Sequence, residues 1–266
     1  MSVASNKVFE FPQWAIPENQ QATLLNTAIV LAAATLIYVA WLAWRKREFD
    51  PIAIFVGGGA AVIYEPLGDI LTKVAYPPLA QTSLMTSFGR PTPLWMLPNY
   101  FFFITIPTLM LLRFLVREGV SARKWWLTYG GLVLFVALFE QPGINAGSWR
   151  YYAANQAISI NTYPLWVGFV NAQSLFAIAT GIFFLKRSVI PASMWMLLAP
   201  LVPMLFVGSH VAASLPVSWA LYTTNDTLLV NMAALLSIAL CFLNVWIGWN
   251  LTRRASRGPS EPPAVA

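Results

Sequence analysis

Seven apolar segments, each long enough to cross a bilayer, divide the chain at approximately 22–44, 52–75, 94–116, 125–141, 163–185, 190–213 and 227–250. A crossing takes roughly twenty residues of helix. Lipid offers backbone N–H and C=O groups no partners, so each segment must close its own hydrogen bonds. The predicted fold class is therefore all-α: a polytopic membrane protein with a single seven-transmembrane helix domain over 1–251. Residues 252–266 read as a disordered polar tail. Only 10% of the residues are charged and 58% are hydrophobic; a soluble domain would carry roughly 25% charge. The fourth segment is the shortest, and its far end is expected to be irregular after Gln141-Pro142-Gly143.

Charge sets the expected orientation. Arg45, Lys46, Arg47, Arg113, Arg117, Arg123, Lys124, Lys186, Arg187, Arg253, Arg254 and Arg257 fall on one side, twelve of the sixteen Lys and Arg residues. Lys7, Lys73, Arg90 and Arg150 fall on the other. The positive-inside rule predicts an outside N-terminus and a cytoplasmic C-terminus. The net charge of +6 is thus explained by topology, and nucleic acid is not an expected partner. Residues 1–21 lack a basic start followed by an apolar core, so no cleavable signal is expected. Cys241, the single cysteine, reads as a small packing residue.

Glu65 and Glu140 each lie about fifteen residues into an apolar segment. A carboxylate in lipid is costly and usually functional. Asp69 and Lys73 continue the Glu65 face at helical spacing, giving Glu-x3-Asp-x3-Lys on one stripe. At about 1.5 Å per residue, both glutamates reach the outer half of the membrane. Asn99, Tyr100, Asn171, Gln173, Asp226, Asn231 and His210 are expected there too, below loops 76–93 and 142–162, and the inner half reads as almost purely apolar. The polar groups predict a cavity open to the outer leaflet, built by spans two to six. Glu65, Glu140 and Asp69 are the catalytic candidates, with Glu65 or Glu140 read as the general acid and Asp69 as the partner base or cation stabiliser; Tyr64, Asn99, Trp149, Tyr151 and Asn171 are the substrate-binding candidates. Lys73, Arg90, Arg150 and His210 are the candidate supporting charges.

Each acid also has a structural reading. Glu65 and Asp69 would pair with Lys73 or Arg90 to lock helices, and Glu140 would hydrogen-bond the following loop. His210 would serve as a structural residue near a helix end. Trp41, Trp44, Trp125, Trp126, Trp246 and Trp249 read as an interfacial belt, while one or two of Trp95, Trp149, Trp166 and Trp219 would line a pocket. Gly57-Gly58-Gly59 reads as a close-packing site. Asn225-Asp-Thr fits a glycosylation acceptor. One histidine and one distant cysteine supply no N/S metal-ligand set, and no cofactor is expected. A retinal protein would need a lysine in 227–250, which has none.

YEPLGD at 64–69, Tyr76 and GRPTPLW at 89–95 resemble the acid-Pro-Leu, Tyr and Pro-x-Trp pattern of the AveC-type spirocyclase family. FEQPGINAGSWRYY followed by NTYP is similar to that family's second acidic helix end and aromatic loop. The resemblance covers mainly 60–170 in short motifs. It implies a bacterial polytopic membrane protein of polyketide spiroketal formation or dehydration, with Glu65 and Asp69 in the first acidic motif and Glu140 in the second. Membrane terpene and carotenoid cyclases share the size, helix count and paired-acid logic and form a neighbouring reading. The expectation is an integral protein of the bacterial cytoplasmic membrane that cyclises, isomerises or dehydrates an apolar polyketide or isoprenoid by acid/base catalysis. The alternative is a proton-coupled carrier or lipid-binding membrane protein.

Overall fold

The computed structural model describes residues 11–17, 19–116 and 120–257. It is mostly helical, with seven helices long and apolar enough to cross a membrane. The first is α1 (Gln20–Lys46); the second is built from α2 (Asp50–Ala60), a 3-10 turn (Ala61–Tyr64) and α3 (Glu65–Thr72). Then come α4 (Met96–Val116), α5 (Ala122–Asn145) and α6 (Leu165–Ser188). A 3-10 stretch (Ala192–Leu197) leads into α7 (Leu198–Thr223), and α8 (Thr227–Arg257) ends the described chain. The most buried span is α6, which packs against α4, α5, α7 and α8, while α1 packs on the outside of α2 and α4.

Proline placement explains where the observed elements depart from the expected ones. The second span, expected to be one helix, tightens to 3-10 over Ala61–Tyr64, just before Pro66. Proline has no N–H and crowds the carbonyl four residues back, so the backbone there closes from Glu65 N to Val62 O instead. Pro142 sits inside α5, which runs to Asn145, four residues past the expected end of that segment at 141. Pro216 sits inside α7, which continues to Thr223, ten residues past the expected end at 213. The Val217 N–H beside that proline donates to Ser237 Oγ of α8 at 3.3 Å, so a neighbouring helix supplies a partner. The last helix runs on to Arg257, into the stretch expected to be polar tail. Residues 258–266, Lys7 and Arg117 lie outside the described residues.

Helix packing bears out the role read for the triple glycine. A methyl on Gly57 would overlap Ala199 O of α7, and one on Gly59 would overlap the Phe101 ring of α4. Cys241 is fully buried. Trp125 is no belt residue: it is buried in the core and donates its indole N–H to Val245 O at 3.2 Å. Asp226 caps α8, its Oδ1 accepting from Leu228 N at 2.8 Å and Leu229 N at 3.3 Å.

The two long connections hold three antiparallel two-stranded ladders, and a single parallel bridge joins Ala15 to Leu79. Strand β1 (Val74–Ala75) pairs with β4 (Arg150–Tyr151) and ties the first loop to the second. The hairpin β2 (Ser83–Ser87) to β3 (Arg90–Pro93) turns through Phe88 and Gly89, both at positive φ. The hairpin β5 (Ser159–Ile160) to β6 (Tyr163–Pro164) turns through Asn161 and Thr162, also at positive φ.

Candidate functional site

Glu65 opens α3 and Asp69 follows one turn later, both buried. Two phenols hold Glu65. Tyr76, just past β1, donates its hydroxyl to Oε1 at 2.5 Å, and Tyr100 of α4 donates to Oε2 at 2.5 Å. Both carboxyl oxygens are therefore occupied as acceptors. Asp69 is different: its Oδ1 is buried and has no hydrogen-bond partner among the described residues. Glu140, in the last turns of α5, accepts from Tyr151 Oη at 2.6 Å. That bond joins Glu140 to the loop, as its structural reading expected.

Burial, then the Glu65 charge, pushes the Tyr76 phenol well above the usual tyrosine range. Burial, then Glu140, does the same to Tyr151. Both groups therefore remain O–H donors at neutral pH.

All three acids line one cavity of about 120 Å³. By this measure a water needs about 10–15 Å³, so the space holds several waters or the reacting part of a larger molecule. Its walls come from spans two to six, with the loop residues Tyr76, Trp95, Trp149 and Tyr151 on one side. Trp95 and Trp149 lie 5.7 Å apart between ring centroids, and Tyr76 sits edge-on to Trp95 at 5.7 Å. Phe103, Phe139 and Phe206 continue the aromatic lining. The expected Tyr64, Asn99, Trp149, Tyr151 and Asn171 are all part of it.

Lys73 is not where the spacing put it. Lys73 ends α3 at φ 51°, leaves the Glu65–Asp69 stripe, and places its ammonium 4.4 Å from the Tyr222 ring centre. Arg90 is buried, donates to Val74 O at 3.1 Å and Tyr152 Oη at 2.7 Å, and does not line the cavity. Arg150 is exposed and stacks over Trp14. Among the described residues no salt bridge reaches Glu65, Asp69 or Glu140. His210 is not close to a helix end. It lies in the middle of α7, buried and facing the cavity, with no partner for either ring nitrogen among the described residues. Nor do polar groups stop at the cavity: Gln173 of α6 bonds Ser209 O of α7 and accepts from Asn244 of α8. No group of three His, Cys, Asp or Glu side chains among the described residues is arranged around a common metal position.

Tyr100 as a Glu65 ligand and Phe206 as cavity wall had no sequence signal beyond a polar or aromatic residue in an apolar run. Tyr76 was visible only as part of a short motif. The arrangement can move protons between carboxyls and a bound molecule, and its aromatic faces can stabilise a positive centre. No protein-family model, no curated protein and no solved structure matches the chain.

Proposed function

We propose that the protein is an integral membrane enzyme that cyclises or isomerises an apolar polyketide or isoprenoid by acid/base catalysis. The observation that carries this reading is the convergence of three carboxyls from two spans on one aromatic-walled cavity, with no ion pair to any of them among the described residues. Structural acids in apolar surroundings are normally paired with cations; these are held by phenols or left open.

Hydrogen bonding divides the roles. Glu65, filled by two O–H donors, serves as the base and as the anion that stabilises a positive centre. Asp69, with a free oxygen, serves as the proton donor. The carboxyl O–H of Asp69 breaks as a carbonyl, epoxide or alkene of the substrate takes the proton. An internal hydroxyl or alkene then closes the ring, the proton displaced from the closing group passes to Glu65 or Glu140, and its return to Asp69 resets the site. The sum is an isomerisation with no net gain or loss; where the protonated group leaves as water, it is a dehydration. The asymmetry of Lys and Arg between the two sides supports a cavity open toward the outer leaflet, and we read the membrane as a bacterial cytoplasmic one.

The test is a metabolite comparison in the source organism carrying Glu65→Gln, Asp69→Asn or Glu140→Gln. Loss of one product and accumulation of a precursor of equal mass, or heavier by one water, is expected. Unchanged profiles with wild-type amounts of each variant in the membrane would overturn the proposal. The Gln173–Asn244–Ser209 cluster, which extends polar groups beyond the cavity, favours a proton-coupled carrier as the second reading. Proton flux in liposomes, driven by substrate and lost in Asp69→Asn, would establish that reading instead.

A further inference from the structure

Three side chains at one corner of the cavity carry polar atoms that the protein leaves without partners. Tyr64, Asp69 and His210 are 6%, 2% and 4% exposed. Tyr64 Oη, Asp69 Oδ1 and both nitrogens of His210 have no hydrogen-bond partner among the described residues. All three line the cavity, and the Tyr64 and His210 rings meet at 5.2 Å between centroids. Buried polar groups are nearly always hydrogen-bonded, so several unpaired at one place mark where something else binds.

We infer that Tyr64, Asp69 and His210 form a subsite for a neutral oxygen function, a hydroxyl or carbonyl, on the molecule that fills the cavity. The inference rests on the reading of this cavity as a substrate site. An anionic group is disfavoured because three carboxyls and no Lys or Arg line the space. An ammonium offers only donors, whereas a neutral imidazole presents one donor and one acceptor and the Tyr64 hydroxyl presents both. A hydroxyl answers both kinds of group at once. A carbonyl accepts from Tyr64 or from the imidazole N–H. Tyr64 and His210 thus select the oxygenated end of an otherwise apolar molecule and set it beside the Asp69 carboxyl.

The experiment is saturable binding of radiolabelled probes to the purified full chain in detergent. The probes are 1-decanol, decane, decanoate and decylammonium, each compared between wild type, Tyr64→Phe and His210→Phe. Decanol should bind wild type at least ~10-fold more tightly than the other three, because a site built to hydrogen-bond a hydroxyl rejects the analogue without it. Each variant should lower decanol affinity about 10-fold while leaving decane unchanged. Equal binding of decane and decanol by wild type, a preference for decylammonium or decanoate, absence of saturable decanol binding, or variants with unchanged decanol affinity would each overturn the inference. Tyr64→Phe removes one hydroxyl and keeps the ring, so it carries the test alone if His210→Phe does not fold. Failure here with carboxyl-dependent turnover intact sinks only the subsite. Selective decanol binding without carboxyl-dependent turnover sinks only the catalytic reading.

Discussion

Gly143→Ala is the most direct probe of how helix α5 shapes the cavity. Gly143 lies one turn beyond Glu140, and a methyl group there would overlap Cη2, Cζ3 and Cζ2 of Trp149. Carbon atoms pack at about 3.5–4.0 Å, so the indole would have to retreat by more than an ångström. It cannot do so freely, because Trp95 and Tyr76 stand 5.7 and 6.4 Å from it between ring centroids. Overpacking of this kind costs about 1–3 kcal/mol. Alanine regains roughly 0.5 kcal/mol of helix propensity near a helix end, so the net loss should be about 0.5–2.5 kcal/mol. The three overlapped atoms belong to the outer edge of the indole, which phenylalanine lacks. In a Trp149→Phe background the overlap vanishes and Gly143→Ala should be neutral or stabilising by roughly 0.5 kcal/mol. Reversible unfolding of the four proteins of this cycle in mixed micelles measures the coupling, expected at about 1–3 kcal/mol. Equal effects of Gly143→Ala in both backgrounds would refute the contact, as would stabilisation of the otherwise wild-type chain.

The remaining predictions concern the groups that hold the acids and the helix ends. Tyr76→Phe and Tyr100→Phe should each destabilise by about 1–2 kcal/mol, the range for a buried bond to a carboxyl. In a Glu65→Gln background each effect should shrink, and additivity in that cycle would mean the phenols do not act on Glu65. Asp226→Ala removes the α8 cap and should cost about 1 kcal/mol, with Asp226→Ser retaining most of it; equal unfolding of the two variants would contradict the capping role. The phenols of Tyr76 and Tyr151 are raised above their unfolded values. Their protonated forms therefore add stability that is complete below about pH 10 and is lost as pH rises through the folded-state values. Unfolding measured across that alkaline range should show the decline, and the double Phe variant should flatten it.

The sequence exposes the spans because apolar runs of this length have one solution in lipid, and it exposes Glu65, Asp69 and Glu140 because an acid in such a run is conspicuous. Helix ends were less legible. Pro142 and Pro216 look like stops, yet both lie inside helices; at Pro216, Ser237 on α8 accepts from the neighbouring N–H. No local pattern reveals a partner on another helix. Lys73 failed as a member of the acid stripe for a related reason. Helix α3 stops there in a left-handed residue, with Tyr222 bonding Ile70 O, Gln156 bonding Thr72 O and Tyr152 N bonding Lys73 O. Those three donors come from residues about 80 to 150 positions later in the chain, so the end of α3 is fixed by tertiary contacts rather than by its own residues. The two-residue strands were invisible to any periodicity, which needs several alternations to register.

One of those short ladders bears directly on how the acids are held. Pairing Val74 with Tyr151 and Ala75 with Arg150 sets the chain just after α3 against the chain just after α5. Tyr76, one residue beyond β1, turns back to Glu65, and Tyr151, within β4, turns back to Glu140. The phenols that hold the two glutamates are thus carried on paired strands, and neither can shift without moving the other. Trp149, one residue before β4, is wedged between Gly143 of α5 and the Trp95–Tyr76 pair, which ties the aromatic wall to the same pairing. Arg90 reinforces it from β3 by donating to Val74 O and to Tyr152 Oη, one contact on each side of the ladder. Arg90, sought as a partner for the acids, therefore acts one step removed, on the paired segments that carry the phenols. A buried acid held by a phenol is neutralised by no fixed charge, so it keeps the freedom to exchange a proton that a salt bridge would take away.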